Sequence, residues 1–344
     1  MKMTTKKMYV RNLNKNTCVK ALSMIMFHCT KNSILVEVNM NEALLSKKGK
    51  TLLRVASLLL TIEKGQRIPK VESLAQELNV GRGTIQSSLK ILEEAKAIEL
   101  LSRGHLGTFL LQKDVSKLLE FAGVNTITAV MPLPYSKKYE GLATALTTVF
   151  HNMGIRLNLA FMRGSNPRLE GVKEGRYDFA VVSFMAAKNA VEKANITIEK
   201  RLGAQSYVSK HKIYFADSDK TEIEDGMRIG IDSKSADQRT LAEAEAQGKK
   251  VTFVETTYMH LLQSLEAGLI DATVWNADEV QRPTLYAKEL TSSLAVRNSQ
   301  EISETALVAH GDKQTISYLL GLIDRQELLT IQKQVVEGEI IPSY

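Results

Sequence analysis

The sequence predicts a small α+β unit built on two helices joined by a tight turn, followed by a larger α/β body of two lobes. Three observations carry that expectation. Leu74, Ala75 and Leu78 repeat on one helical face and Ile85, Leu89 and Leu92 on another, with Asn79, Val80 and Gly81 breaking the pattern between them. From residue 125 onward short apolar runs alternate with helical stretches, pause over 201–216, and then resume. The length of 344 residues, 44% of them hydrophobic, suits two or three domains, each with a core of its own.

Taken in order, residues 44–62 carry apolar positions at Leu52, Leu53, Val55, Ala56, Leu59, Leu60 and Ile62 and predict a first helix; residues 65–69 read as a break. Residues 71–98 then have helix-turn-helix spacing, in which the second helix enters the DNA major groove. Any helical hairpin in a bundle can show that spacing, so the next segment of the chain carries weight. There the apolar runs 98–101 and 108–111 flank a basic, glycine-bearing turn, which is a hairpin signal. Arg82, Thr84, Gln86, Ser87 and Lys90 are the candidate DNA-facing residues of the second helix. Residues 112–123 predict a connecting helix with Leu118, Leu119 and Phe121 packing inward. The division expected is an extension over 1–40, a DNA-binding domain over 44–113, a linker helix over 114–124 and a bilobal domain over 125–344.

The stretch from Ser46 to Lys113 resembles the winged-helix domain of GntR-type bacterial regulators: Leu74-Ala75, Arg82, Thr84, the leucines from Leu89 to Leu92, and Gly107-Thr108-Phe109 match that family's pattern. The resemblance implies that Arg82 and Thr84 reach DNA from the recognition helix and that Arg103 and Gly104 approach it from the wing tip. Two positions depart. Gly81 stands where the family usually has a Ser or Thr cap, and Gln86 where many members carry Arg, so a weaker cap and an altered base preference are expected.

In the body, strands are expected at 126–131, 157–162, 179–182, 227–231, 251–255 and 271–275 with helices between them, which is a βαβ series with a parallel sheet. Two segments echo one another: Gly175, Asp178 and an apolar strand, then Gly268, Asp271 and an apolar strand, as corresponding corners of two lobes would. Met131 to Tyr135, Tyr139 to Ala143, Met162 to Gly164, Ala180 to Ser183, Ser235 to Gln238, Val274 to Asn276 and Pro342 to Tyr344 resemble a type 2 periplasmic-binding-protein domain, and more narrowly the YhfZ family of regulators. The fold class expected is therefore an α+β winged helix-turn-helix domain followed by an α/β bilobal periplasmic-binding-protein-like domain.

Small molecules bind such sheets at the carboxyl ends of strands, beside helix N-termini that favour anions. The polar residues expected there are Tyr135, Ser136, Arg163, Gly164 and Ser183 in the first lobe and Ser233, Ser235, Gln238 and Asn276 in the second. Arg163 offers a bidentate contact to a carboxylate or phosphate. For Ser233, Ser235 and Asp237 ordinary N-capping competes with that role, and Trp275 reads as a core residue. Evidence for catalysis is thin: the six histidines show no metal-ligand spacing, and phosphate-binding, dinucleotide and nucleophile-elbow motifs are missing from the chain. No cofactor and no metal site is expected.

The formal net charge is +7, with much of the excess among the lysines and arginines before residue 55, which suits a polyanion partner; a solvated lysine-rich tail explains the first forty residues as well. Both cysteines, Cys18 and Cys29, fall there, which fits a reducing compartment. The run from Ala21 to Phe27 behind lysines raises export, but it is short and His28 to Thr30 is a poor cleavage site. Translation beginning at Met40 is an alternative. No run long enough for a membrane span is seen. The partners expected are double-stranded operator DNA, a small anionic metabolite and a second copy of the chain in a homodimer, in the cytoplasm. The rival readings are an enzyme of small-molecule metabolism on a binding-protein fold and an exported solute-binding protein.

Overall fold

The first helix, α1 (Lys47–Thr61), starts at Ser46, whose hydroxyl accepts from the Gly49 N–H at 3.1 Å, and turns Val55, Ala56, Leu59 and Leu60 inward. The computed structural model describes residues 45–124, 126–192, 195–279 and 285–344. The extension over 1–40, the candidate export run, the alternative start at Met40 and both cysteines lie outside the described residues.

Helices α2 (Val71–Glu77) and α3 (Arg82–Glu94) follow, and Asn79, at φ 51°, makes the left-handed turn between them. Strands β1 (Ile98–Ser102) and β2 (Thr108–Lys113) pair antiparallel around a short 3₁₀ turn at Gly104–Leu106. One expectation changes here. Residues 65–69 are more than a break, because Ile68 donates to the Thr108 carbonyl and Leu110 to the Gln66 carbonyl, both at 2.9 Å. The free edge of β2 needs partners, and a three-residue extension is too short to show a period of two. Helix α4 (Val115–Phe121), capped by Asp114, buries Leu118 and Leu119.

Beyond it lie two five-stranded sheets. In the first the order is β4 (Leu157–Phe161), β3 (Ile127–Met131), β5 (Phe179–Ser183), β12 (Thr305–His310), β6 (Ile196–Arg201). In the second it is β11 (Tyr286–Lys288), β7 (His211–Phe215), β10 (Ala272–Asn276), β8 (Arg228–Ile231), β9 (Thr252–Glu255). Each sheet has three parallel strands, and in each the fourth strand is antiparallel and supplied by a chain crossing from the other lobe: β7 after β6, and β12 after β11. The sequence reading stopped the series at the second lobe and missed that β12 returns to the first. Its apolar run, Thr305 to Ala309, is wholly buried between β5 and β6.

Helices α5 (Lys137–Asn152), α6 (Ser165–Lys173) and α7 (Phe184–Val191) belong to the first lobe, α8 (Ala236–Glu245) and α9 (Leu261–Glu266) to the second. Helix α10 (Ser293–Ile302) packs against α7 and α8, and α12 (Arg325–Glu337), which follows α11 (Gln314–Leu322), lies along α5. That last approach needs Gly141, where a Cβ would stand 2.7 Å from the Gln332 carbonyl.

The two repeated corners do the same job in both lobes. Asp178, before β5, donates its N–H to the Thr128 carbonyl at 2.7 Å, and its carboxylate accepts from the Thr128 N–H at 2.9 Å. Asp271, before β10, clasps Arg228 identically, at 2.8 and 2.7 Å. Each corner thereby ties the first strand of its lobe to the third.

Candidate functional site

Among the exposed residues of α3, Arg82, Gln86, Lys90 and Glu93 are spaced four, four and three and form one stripe opposite buried Ile85, Ser88, Leu89 and Leu92. Thr84 and Ser87 are half-buried beside it. Arg82 stands 3.6 Å from Glu72 and Lys90 3.6 Å from Glu94, weak surface pairs that leave both cations open to a phosphate. Gly81 supplies no side-chain cap, as its identity predicts. Across the turn, Arg103 lies over the Phe109 ring at 4.8 Å, and Gly104 takes φ 55° at the exposed hairpin tip.

The second site is a cavity of about 50 Å³ between the lobes. That is enough to admit water and far below the space a drug-sized ligand takes. The lobes meet around it. Arg163 from the end of β4 approaches Asp232 at the end of β8, 3.7 Å away, and Ser183 donates to the Asp237 carboxylate at 3.0 Å. Gly164, at φ 83°, lets the first lobe come so close that a Cβ would stand 2.5 Å from the Lys234 carbonyl. Tyr258 stacks on Trp275 at 3.8 Å and faces Tyr135 at 5.7 Å, so the cavity has an aromatic wall.

Several residues expected at the site are brought to it, but in other employment. Ser136 and Ser183, expected at the site, lie outside its lining and serve instead as N-caps, accepting from Tyr139 and Ala186 at 3.3 and 3.1 Å. Gln238 lines the cavity, yet its amide oxygen accepts from Asp232 and its nitrogen donates to the Gly230 carbonyl, both at 3.0 Å, which braces the end of β8. Asn276 is buried there and accepts from the Asp278 N–H at 2.9 Å. Ser235 lines the cavity without a capping bond. Ser233 is exposed outside the lining, with its N–H bonded to Glu255 at 2.7 Å.

What the sequence reading missed is on α6. Arg168 is 3% exposed, and its guanidinium donates to the Met162 carbonyl at 3.0 Å and to the Tyr207 hydroxyl at 2.9 Å, both neutral oxygens. Ser165, Arg168 and Val172 share the buried face of that helix. An arginine on a buried helical stripe was the available signal. Trp275, read as core, is 3% exposed and also lines the cavity.

Electrostatics follow burial. Asp237 keeps part of its surface open, yet enough protein surrounds it that its pKa is pushed up to about 6; the Ser183 hydrogen bond and Arg168 pull the other way and lose. His211, bonded to Ser299 at 3.1 Å, is driven down to about 4 by burial and is neutral near pH 7. Burial likewise raises the Tyr207 hydroxyl, which therefore stays protonated beside Arg168. No group of metal-ligating side chains occurs among the described residues.

Fold and sites together define a helix-turn-helix protein with a bilobal α/β domain. A family model described as YhfZ C-terminal domain matches residues 114–344, and one described as helix-turn-helix domain matches residues 63–110. YhfZ of Escherichia coli (strain K12) is 32% identical over 306 residues, 89% of this chain and 100% of that protein. The crystal structure of YhfZ from Shigella flexneri is 33% identical, with a TM-score of 0.57 over 67% of this chain and 97% of that one. A looser likeness, TM-score 0.42 at 14% identity over 63% of this chain and 100% of the other, is to a periplasmic substrate-binding protein of an ABC transporter from Coxiella burnetii. The chain belongs to the YhfZ family. Its helix-turn-helix and its family point to a DNA-binding regulator with a ligand-binding domain rather than to an enzyme.

Proposed function

We propose that this chain is a cytoplasmic transcriptional regulator that binds double-stranded operator DNA as a homodimer, through a GntR-type winged helix-turn-helix over 44–113. A small anionic metabolite, held in the bilobal domain over 125–344, modulates that binding. The observation that carries the reading is a seam between the two parts. Lys113, at the end of β2, donates to the carbonyls of Leu60 and Ile62 at 2.6 Å each and lies 4.7 Å over the ring of Tyr318 on α11. One buried core runs from α1 through α4 into both lobes, and direct ties reach the first: Ser116 on α4 donates to the Gly154 carbonyl at 3.2 Å, and α1 packs against α11. The helix-turn-helix therefore moves with that lobe, and closing the second lobe against it changes the spacing of two such units in a dimer. A ligand that favours the closed form shifts DNA affinity by its differential affinity for the two forms, and DNA shifts ligand affinity by the same factor.

The test begins with an operator selected from random duplex DNA. Fluorescence anisotropy should then show Arg82→Ala weakening operator and random DNA alike, and Gln86→Ala removing about 1–3 kcal/mol of preference for the operator. Two cleft variants, in a background with Cys18 and Cys29 replaced by serine, examine the coupling. Ser183→Cys with Asp237→Cys, joined by a short thiol crosslinker, holds the lobes together; Gly164→Trp holds them apart. Equal operator affinity in these two forms would exclude control of DNA binding by the cleft, and unchanged binding by both α3 variants would remove α3 from the interface.

A further inference from the structure

Three buried side-chain donors that lack a partner among the described residues belong to residues lining a single cavity: Nε of Arg168, Oγ of Ser165 and Nε1 of Trp275. Each residue is at most 4% exposed. A buried donor left unmade costs about 1–3 kcal/mol, and more when it is charged, so three on residues that line one small cavity are accounted for by a ligand that accepts from all of them. They also come from both lobes, Ser165 and Arg168 on α6 and Trp275 on β10, so an acceptor bound by all three holds the cleft closed.

The geometry points to a small monocarboxylate whose oxygens are received by Arg168, Ser165 and Trp275. Charge, size and shape argue for this over other anions. Among the described residues that line the cavity, Arg163 is paired with Asp232, whereas Arg168 meets only neutral oxygens directly and has its Nε to offer a ligand. Asp237 stands in the same cavity and attracts Arg168 through space, so a dianion would bring an excess of negative charge into a poorly solvated place. Planar carboxylate oxygens suit the fixed edge of a guanidinium. The cavity's small volume, about 50 Å³, favours a ligand of few atoms, and the stacked Tyr258–Trp275 pair gives its remainder an apolar wall. Asp237 then either faces an ammonium on the ligand or takes up a proton. This inference rests on the reading of the cleft as a ligand site and names the ligand class.

Trp275 is the single tryptophan of the chain, so its emission reports this cavity in the full-length protein without a label. Sodium pyruvate, L-alanine and inorganic phosphate are titrated separately. A saturable shift with pyruvate or with alanine supports the proposal: a preference for alanine assigns an ammonium to Asp237, and a preference for pyruvate assigns a proton. Ser165→Ala should then raise Kd about tenfold and Arg168→Gln about a hundredfold, while Arg163→Gln has the smaller effect of the two arginines. Where Arg168→Gln fails to fold, Ser165→Ala and Trp275→Phe decide, the latter read by calorimetry; Phe keeps the stacking and removes the N–H. A shift with phosphate and neither carboxylate, no shift with any of the three, or carboxylate affinity unchanged in both Ser165→Ala and Trp275→Phe overturns the proposal. Carboxylate binding with equal operator affinity in the two cleft variants would leave this inference standing and remove control of DNA binding; the reverse result would do the opposite.

Discussion

The two lobes are alike where they are built and unlike where they face each other. Asp178 and Asp271 clasp equivalent strands with the same pair of backbone hydrogen bonds, behind glycines at φ 73° and 65°, Gly175 and Gly268. At the cavity the symmetry ends. The first lobe brings Ser165 and Arg168 on the opening turn of α6, whereas the second brings a stacked aromatic pair, a carboxylate at Asp237, and a glutamine engaged in bracing its own strand. The repeated part answers to backbone hydrogen bonding, which both sheets need equally. Under the function proposed above, the rim would answer to a ligand that touches each lobe with a different end, and selection for binding would drive the two rims apart.

The largest effect expected from this asymmetry is in pH dependence. Folding raises the Asp237 pKa from 3.8 to about 6, so between those values the folded chain holds a proton that the unfolded chain has released, and stability falls as pH rises. Folding lowers the His211 pKa from 6.5 to about 4, so there the unfolded chain holds the extra proton and stability rises with pH. The two oppose each other across nearly the same window. In wild type their contributions should almost cancel. Asp237→Asn leaves the histidine alone, and urea unfolding at a series of pH values should show stability increasing from pH 4 to 6.5 by up to about 1.4 kcal/mol per unit. A variant as flat as wild type would show that the two groups are not set as described.

The corners come next. Asp178→Ala removes the acceptor for Thr128 and the partner of Lys313 at 2.9 Å and should cost about 2 kcal/mol in urea unfolding. Asp271→Ala should cost somewhat less, because its side chain is 35% exposed against 25% for Asp178. A large cost at one corner and none at the other would break the equivalence of the lobes.

Gly164→Ala tests the closest approach across the cleft. Its Cβ would meet the Lys234 carbonyl at a backbone φ of 83°, so the lobes can no longer close, and affinity for the cavity ligand should drop about tenfold or more with the fold retained. The smallest difference is in capping. Ser136→Ala should cost about 1 kcal/mol because its hydroxyl accepts from the Tyr139 N–H, while Ser235→Ala, which loses no capping bond, should leave the melting temperature within error. A matching loss at Ser235 would mean that the second lobe caps its helix as the first does.

Much of this molecule is legible from local pattern. The break at Asn79 to Gly81, the hairpin around Gly104, the missing cap at Gly81 and the paired corners all derive from hydrophobic period and turn chemistry within a few residues, where sequence neighbours are also spatial neighbours. The return of β12 to the first sheet was not legible, since a strand buried between two others carries no mark of which sheet it joins. The same limit governed the cavity. Strand ends pointed to Tyr135, Arg163, Gly164 and Asn276, all of which line it, but not to which arginine keeps a donor to offer. That depends on Asp232 standing opposite Arg163, and on Met162 and Tyr207 giving Arg168 only neutral oxygens, contacts between residues as many as 69 apart in the chain. An arginine reads the same in a sequence whether its charge is answered or not; only the packing of the two lobes decides it, because burial and partner geometry set what a charge costs and what it can bind.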